Sequence, residues 1–188
     1  MTGRGAEGVV VLRAATTEDL PAITAVYGHN VLTGTGTFET TPPDGAEMGR
    51  RFDGIAALGL PWLVAEVDGR VAGYAYAGPF RTRPAYRYTA ETSLYVGEGA
   101  TGHGVGKALL AELLTRCEAL GLRQMLAVIG DSDNAASIAL HAALGFERTG
   151  VMTAVGWKFG RWLDVVFMQR RLRAGQDAPP DAGGMPLA

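Results

Sequence analysis

The chain has 188 residues, of which 47% are apolar and 19% are charged, and its formal net charge is −2. This length fits one domain, and the near-balance of charge argues against a nucleic-acid binder held by bulk electrostatics. The single cysteine excludes an internal disulfide and a cysteine-rich zinc site, the three histidines lack metal-ligand spacing, and no apolar run is long enough to span a bilayer. We therefore predict a soluble cytoplasmic protein without a bound metal, whose single domain, 9–173, lies between a flexible N-terminal tail, 1–8, and a disordered C-terminal tail, 174–188.

Apolar periodicity and turn residues divide the domain into alternating elements. An Asp-Gly pair at 68–69 between two apolar runs predicts a hairpin, and Gly121 marks the end of a long amphipathic helix. In chain order we predict a strand at 9–12, a helix from 20 to about 31, a loop at 33–43, a helix at 44–58, strands at 62–67, 71–77 and 89–96, the helix that ends at 121, a strand at 125–129, a helix from 134 to 144, and strands at 151–157 and 163–169. Hairpins surround one central β-α-β unit, so the fold class is α/β with a mixed sheet.

A glycine-rich segment, from Gly97 to Gly106, lies between the strand at 89–96 and the long helix, and five of its ten residues are glycine. Glycines at a strand-to-helix junction let the backbone turn tightly and direct several N–H groups at one point, where the helix dipole also favours an anion. His103 and Lys107 can add positive charge. The segment therefore predicts a site for a phosphate or pyrophosphate group.

A dinucleotide cofactor is one candidate for the phosphate ligand of this segment. Gly97-x-Gly99-x-x-Gly102 matches the dinucleotide-binding fingerprint, which would indicate an oxidoreductase. Two more glycines would then fall in the first turn of the helix, and Asp131 lies too far along the chain to be the acidic residue that ends the next strand. No Gly-Lys-Ser/Thr triplet of a Walker loop follows, so a different phosphate loop is favoured.

Gly102-x-Gly104-x-Gly106 at the start of the helix resembles the acetyl-CoA pyrophosphate loop of the GCN5-related N-acetyltransferases. That family usually has Arg or Gln three residues before the central glycine, and Thr101 stands there in this chain, which removes a common contact to the phosphates. Farther along, the helix with Asn134, Ser137 and His141 on one face, closed by Ala-Leu-Gly-Phe at 143–146, is similar to the family's signature for the pantetheine arm.

Further motifs resemble the phosphinothricin acetyltransferases and their relatives that acetylate methionine sulfone and sulfoximine. They lie at 61–69, 76–80, 89–92, 127–130, 140–146 and 156–165. The resemblance covers roughly residues 9–171. It implies a single domain with a mixed, mostly antiparallel twisted sheet and helices on both faces, assembled as a homodimer.

The resemblance also implies roles for individual residues. Glu91 and His141 match the family's catalytic glutamate and histidine. Residues that match the acetyl-CoA site are Leu94, Val96, Gly102, His103, Gly104, Gly106, Lys107, Asn134 and Ser137. Residues that match positions around the acceptor pocket are Phe38, Arg81, Arg83 and Tyr86.

The implied activity is transfer of an acetyl group from acetyl-CoA to the α-amine of a small amino-acid-like acceptor. The resemblance associates this activity with antibiotic or herbicide resistance, and the sequence leaves open whether resistance is the biological role. The amine must lose a proton, and Glu91 can accept it if burial raises its pKa. Two arginines and a phenol suit a carboxylate plus a second oxyanion or sulfone group. The division of acid and base roles between Glu91 and His141 stays open. The alternatives are acetylation of a peptide or another small amine, and a CoA-binding sensor, which we would expect to have lost Glu91 or His141.

Overall fold

The computed structural model describes residues 9–173, 175–180 and 184–186, so the predicted N-terminal tail, 1–8, lies outside the described residues. Strands and helices follow the predicted order. They are β1 (Val11–Ala14), α1 (Leu20–Thr33), α2 (Gly45–Ala57), β2 (Trp62–Val67), β3 (Arg70–Pro79), β4 (Thr89–Val96), α3 (Val105–Ala119), β5 (Gln124–Gly130), α4 (Ala135–Ala143), β6 (Glu147–Lys158) and β7 (Arg161–Arg171).

The seven strands form one sheet in the order β1-β2-β3-β4-β5-β7-β6. Strands β4 and β5 are parallel and are joined through α3, because a parallel connection needs a crossover. All other neighbouring strands in this sheet are antiparallel. The predicted mixed, mostly antiparallel sheet is confirmed. Pairing of β4 with β5 ends at Thr92 opposite Ala127, and beyond this point the two strands diverge.

Helices cover both faces of the sheet. Because successive side chains of a strand point to opposite faces, strands β2, β3 and β4 each contribute to two separate cores. Leu63 and Ala75 belong to the core under α3, whereas Val64 and Tyr74 belong to the core under α1 and α2. We call these sides the α3 face and the α1 face. Helix α4 packs partly buried residues such as Ile138 against the core of the α3 face.

Most element bounds lie within one or two residues of the sequence prediction, and the largest difference is at the start of β6. Strand β1 begins at Val11 rather than at residue 9, and β6 begins at Glu147 rather than at residue 151. Strand β6 is mostly exposed, and its register with β7 shifts between Arg148 and Gly150 and again between Met152 and Gly156. Such irregularities break the alternation of apolar and polar residues, so the start of this strand has a weak sequence signal.

The C-terminal segment differs from the predicted disordered tail where it is described. Met185 is 3% exposed in the core of the α3 face, and its N–H donates to the carbonyl oxygen of Arg87 at 2.8 Å. The Arg123 guanidinium donates to the carbonyl oxygen of Pro179 at 3.0 Å. Composition predicted disorder for 174–188, and a single buried methionine in a segment without periodicity leaves no pattern that could have shown otherwise.

Two further features of the described chain bear on function. None of its helices is both long and apolar enough to cross a membrane. Cys117 is fully buried on α3, and burial raises the pKa of its thiol to about 12. A thiol in this state is a small core residue rather than a nucleophile, as the helical spacing predicts.

Candidate active site

A cavity of about 820 Å³ opens where β4 and β5 diverge. Its wall is formed by the end of α1 and the loop that follows, the second half of β4, the glycine-rich loop, the first turn of α3, the end of β5 and α4. This volume is in the range of sites for cofactors and small molecules. The divergence of two parallel strands therefore supplies the space in which the predicted site residues meet.

The glycine-rich loop forms one end of the cavity. Gly104 caps the N-terminus of α3 with a φ of 78°, and Gly102 has a φ of 83°, so both occupy a conformation that side-chain-bearing residues rarely adopt. The first N–H groups of α3 have no partner within the helix and suit an anion, with the exposed ammonium of Lys107 beside them. Gly102, Gly104, Gly106 and Lys107 line the cavity, whereas His103 is exposed and is not among the lining residues.

The second half of β4 forms the long side of the cavity. Leu94 and Val96 line it, and β5 no longer pairs with the backbone at these positions. Asn30 on α1 donates from Nδ2 to the carbonyl oxygen of Val96 at 3.2 Å and to that of Val26 at 2.8 Å. The sequence prediction missed Asn30. An asparagine inside a helix, where its propensity is poor, was the available signal.

Asn134 stands at the start of α4 and lines the opposite side of the cavity. Its side-chain oxygen accepts from the N–H of Ser137 at 3.3 Å, which makes it the N-cap of the helix. Both Asn134 and Ser137 line the cavity. Capping and a place at the site are therefore compatible, and the side-chain amide of Asn134 also donates to the carbonyl oxygen of Gly130 at 3.4 Å.

His141 is 4% exposed on α4, and its contacts define the state of the ring. Its Nδ1 lies 2.8 Å from the carbonyl oxygen of Ser137, which can only accept, so Nδ1 carries the proton. Its Nε2 lies 3.3 Å from Oγ1 of Thr92 and therefore accepts from that hydroxyl. Burial lowers the pKa of His141, against the opposing effect of the bond to Ser137. The imidazole is consequently neutral at pH 7.

Glu91 lies beside Thr92 on β4 but projects from the other side of the sheet. Ala90 is buried in the core of the α3 face, so alternation directs Glu91 to the α1 face and Thr92 back toward α4. Burial raises the pKa of Glu91, and the nearby Arg81 guanidinium partly offsets that rise. Glu91 and His141 thus line one cavity from opposite faces of the same strand.

The predicted acceptor residues lie elsewhere. Arg81, Arg83 and Tyr86 are exposed and line a second cavity of about 370 Å³. Arg81 connects the two regions, since its charge acts on the Glu91 carboxyl. Phe38 lines neither cavity and instead lies against Gly130 and Gly156. Among the described residues, no three of the types His, Cys, Asp and Glu are grouped to hold a metal.

Comparison with known proteins gives consistent matches over most of the chain. The model of the acetyltransferase (GNAT) family matches residues 30–146. A phosphinothricin N-acetyltransferase of Alcaligenes faecalis is 52% identical over 180 residues, which are 93% of this chain and 91% of that protein. An L-methionine sulfoximine/L-methionine sulfone acetyltransferase of Pseudomonas paraeruginosa is 46% identical over 169 residues, 89% of this chain and 98% of that protein.

A solved structure has the same fold. The crystal structure of a GNAT superfamily phosphinothricin acetyltransferase from Sinorhizobium meliloti, in complex with AcCoA, superimposes with a TM-score of 0.91 at 52% sequence identity. The match covers 94% of this chain and 96% of that one.

Proposed function

The chain belongs to the acetyltransferase (GNAT) family and is an acetyl-CoA-dependent N-acetyltransferase, and on this premise we propose that its acceptor is the α-amine of a small anionic amino-acid analogue of the phosphinothricin or methionine sulfone/sulfoximine type. The observation that carries the proposal is the cavity between β4 and β5, with Glu91 on one face of β4 and His141 on the other. Relatives that cover nine-tenths of the chain are named for these acceptors.

The residues around the cavity suit acetyl-CoA by their chemistry. The N-terminus of α3, with Gly102, Gly104 and Lys107, suits the pyrophosphate, and the freed backbone of β4 beyond Thr92 suits the amides of the pantetheine arm. Asn134 and Ser137 offer further polar contacts on α4. When bound, acetyl-CoA supplies a thioester carbonyl as the electrophile.

Glu91 is proposed as the general base. An α-amine attacks only after it has lost its ammonium proton, and Glu91 lines the cavity on the α1 face, which leaves the α3 face with the glycine loop and α4 to the cofactor. The raised pKa of this carboxyl moves it toward neutral pH, where a base accepts a proton most effectively. Backbone N–H groups at 94–96 are the proposed donors to the developing oxyanion.

His141 is assigned a role on the cofactor face through Thr92. Its Nδ1 proton is held by the Ser137 carbonyl, and Nε2 accepts from the Thr92 hydroxyl, so the neutral ring has no free proton for a leaving thiolate. We therefore propose that His141 orients the Thr92 hydroxyl at the point where β4 and β5 separate, and that the base role on the acceptor side belongs to Glu91 alone.

Arg81, Arg83 and Tyr86 are proposed to bind the anionic groups of the acceptor. They line the second cavity together, and Arg81 acts on Glu91 electrostatically. A guanidinium can bind a carboxylate, phosphinate or sulfone oxygen with paired hydrogen bonds. The same charge disfavours a polyamine acceptor. The presence of both Glu91 and His141 at the main cavity favours an enzyme over a sensor.

A homodimer and a cytoplasmic location are further parts of the proposal. The hairpin of β6 and β7 exposes a group of large apolar side chains, which we call the hairpin patch: Val151, Met152, Val155, Trp157, Phe159 and Trp162. Trp157 and Trp162 are 59% and 60% exposed and contact each other edge to face. An apolar patch of this kind suits a second copy of the chain. The cytoplasm is where acetyl-CoA is available to such an enzyme.

Thiol release from acetyl-CoA in the presence of different amines tests the proposal. The amines are phosphinothricin, methionine sulfone, methionine sulfoximine, common amino acids, short peptides and spermidine. We expect turnover with the first three compounds. Turnover confined to peptides or spermidine would keep the reaction and overturn the assignment of the acceptor, and CoA binding without any turnover would favour the sensor.

A further inference from the structure

The loop between α1 and α2 forms one wall of the main cavity. Residues 34–37 all line it, together with Glu91. The loop joins the two helices of the α1 face, the face to which Glu91 projects, whereas the glycine-rich loop and α4 belong to the α3 face. This wall is therefore on the side of the acceptor.

A lysine from the far edge of the sheet holds this loop. Lys158 is the last residue of β6 and is 4% exposed, although most of that strand is exposed. Its Nζ donates to the carbonyl oxygen of Gly34 at 2.8 Å and to that of Thr37 at 2.8 Å. The two carbonyls bracket Thr35 and Gly36, so one ammonium fixes both ends of the segment that lines the cavity.

The same loop also contacts two glycines on β5 and β6 and a tyrosine on α1. A Cβ atom at Gly156 would lie 2.1 Å from the Phe38 ring, and one at Gly130 would lie 2.1 Å from the carbonyl oxygen of Thr35. The loop and the ring therefore occupy the space above two glycines. On the α1 side, Oγ1 of Thr37 lies 2.9 Å from the hydroxyl of Tyr27.

We propose that Lys158 is a positioning residue for the acceptor, which holds residues 34–37 as the acceptor-side wall of the cavity and makes the end of the β6–β7 hairpin part of acceptor recognition. This inference rests on the proposed function. Buried carbonyl groups of a loop need donors, and the Lys158 ammonium supplies one to each of these two.

A lysine at position 158 suits this role better than an arginine would. Positive charge in this chain is carried mainly by arginine, and Lys158 is one of only two lysines. A compact ammonium can point its protons at two carbonyls that diverge from one point, whereas a planar guanidinium directs its donors in a fixed fork. Lys158 therefore fits the loop in a way that the common cation of this chain does not.

The test replaces the ammonium by an uncharged side chain of similar shape, Lys158→Met. We expect kcat/KM for phosphinothricin or methionine sulfone to fall roughly tenfold to 10²-fold, because displacement of a positioning wall costs about that much. The fall should appear mainly as a higher KM for the acceptor, with the KM for acetyl-CoA within about twofold of the parent. Amide hydrogen exchange of residues 33–40, measured without substrates, should accelerate at least about tenfold.

Two control variants separate positioning from general destabilisation. Arg148→Met removes an exposed cation from the same strand and should change neither measurement. Arg13→Met removes the partner of the buried Asp19 at the opposite edge of the sheet, which should lower stability while the acceptor KM stays unchanged. Where Lys158→Met does not fold, Lys158→Gln takes its place, because it keeps a donor with a shorter reach.

The outcomes are distinct. Unchanged exchange at 33–40 in the Lys158 variant overturns the inference, whether or not the parent is active. Faster exchange with an unchanged acceptor KM, or an equal rise in the acceptor KM of Arg13→Met, also overturns it. If the parent acetylates none of the amines, the proposed function fails by that result alone, and the exchange measurement still decides whether Lys158 anchors the loop.

Discussion

Glu91 projects from one face of strand β4, and His141 contacts the other face of the same strand through Thr92. The register of β3 with β4 is continuous from residue 90 to residue 96, so alternation is not interrupted between these positions. Glu91 projects to the α1 face, and His141 reaches the strand through the Thr92 hydroxyl on the α3 face. The two groups therefore serve different sides of the cavity, and each can be tested without the other.

The first prediction concerns the acid limb of the pH profile. A general base must be deprotonated, so kcat/KM for the acceptor should rise with pH through the raised pKa of Glu91. Glu91→Gln should lower kcat about 10²- to 10⁴-fold and remove this limb. Arg81→Met removes the charge that lowers the pKa of Glu91, so the limb should move to higher pH. Steady-state rates between pH 5 and 9 check both, and a limb that moves to lower pH in Arg81→Met would contradict the assignment.

The second prediction concerns Thr92 and His141 as one unit. If His141 acts only by orienting the Thr92 hydroxyl, Thr92→Val and His141→Leu should each lower kcat, and the double variant should lose little more than either single one. Because burial lowers the pKa of His141, neither loss should depend on protonation of the ring at neutral pH. A double-variant cycle in kcat measures the coupling, and additive losses would separate the two residues.

The third prediction concerns the backbone of the glycine-rich loop. Gly104→Ala places a side chain at a φ of 78°, which costs about 1–2 kcal/mol and should distort the N-terminus of α3. We expect the KM for acetyl-CoA to rise roughly tenfold, since about 1.4 kcal/mol corresponds to that factor. Gly121→Ala, at a φ of 82° beyond the other end of α3, introduces the same strain away from the cavity and serves as the control. It should lower the melting temperature without affecting the KM for acetyl-CoA.

The fourth prediction concerns the hairpin patch. If a second copy covers it, Trp157→Glu should convert the dimer to a monomer, because burying an unpaired carboxylate in an apolar interface is costly. Sedimentation equilibrium at micromolar concentration measures the mass. Leu120→Glu changes an exposed apolar residue at the end of α3 and should leave the mass unchanged. A parent chain that sediments as a monomer removes the dimer from the proposal.

Much of the fold could be predicted from short-range sequence signals. The Asp-Gly turn, the glycine after α3 and the periodic apolar residues are short-range features, and such features predicted the strands and α-helices of the described residues in the observed order. The bounds of β6 and the burial of Met185 in the core depend on contacts between distant segments. Such contacts leave no periodic trace in the sequence, so they became visible only in the structure.

In the candidate site, too, local motifs could be predicted from sequence, whereas contacts between distant segments could not. With the exception of His103, the residues predicted from the glycine loop and the α4 motif line the cavity, because both motifs are contiguous in sequence. Sequence could not show that Phe38 faces two glycines, that Asn30 donates to Val96, or that Lys158 reaches the loop at 34–37. Each of these contacts joins segments more than sixty residues apart, where spacing along the chain carries no information.

The contact of Phe38 with Gly156 also constrains how this scaffold can vary. The ring occupies the volume that a β-carbon at position 156 would need, and that β-carbon would come within 2.4 Å of a second ring atom as well. The two positions must therefore change together, and a homologue with alanine or a larger residue at 156 should carry something smaller than phenylalanine at 38. In an alignment of homologous sequences, this steric dependence should therefore appear as covariation between positions 38 and 156.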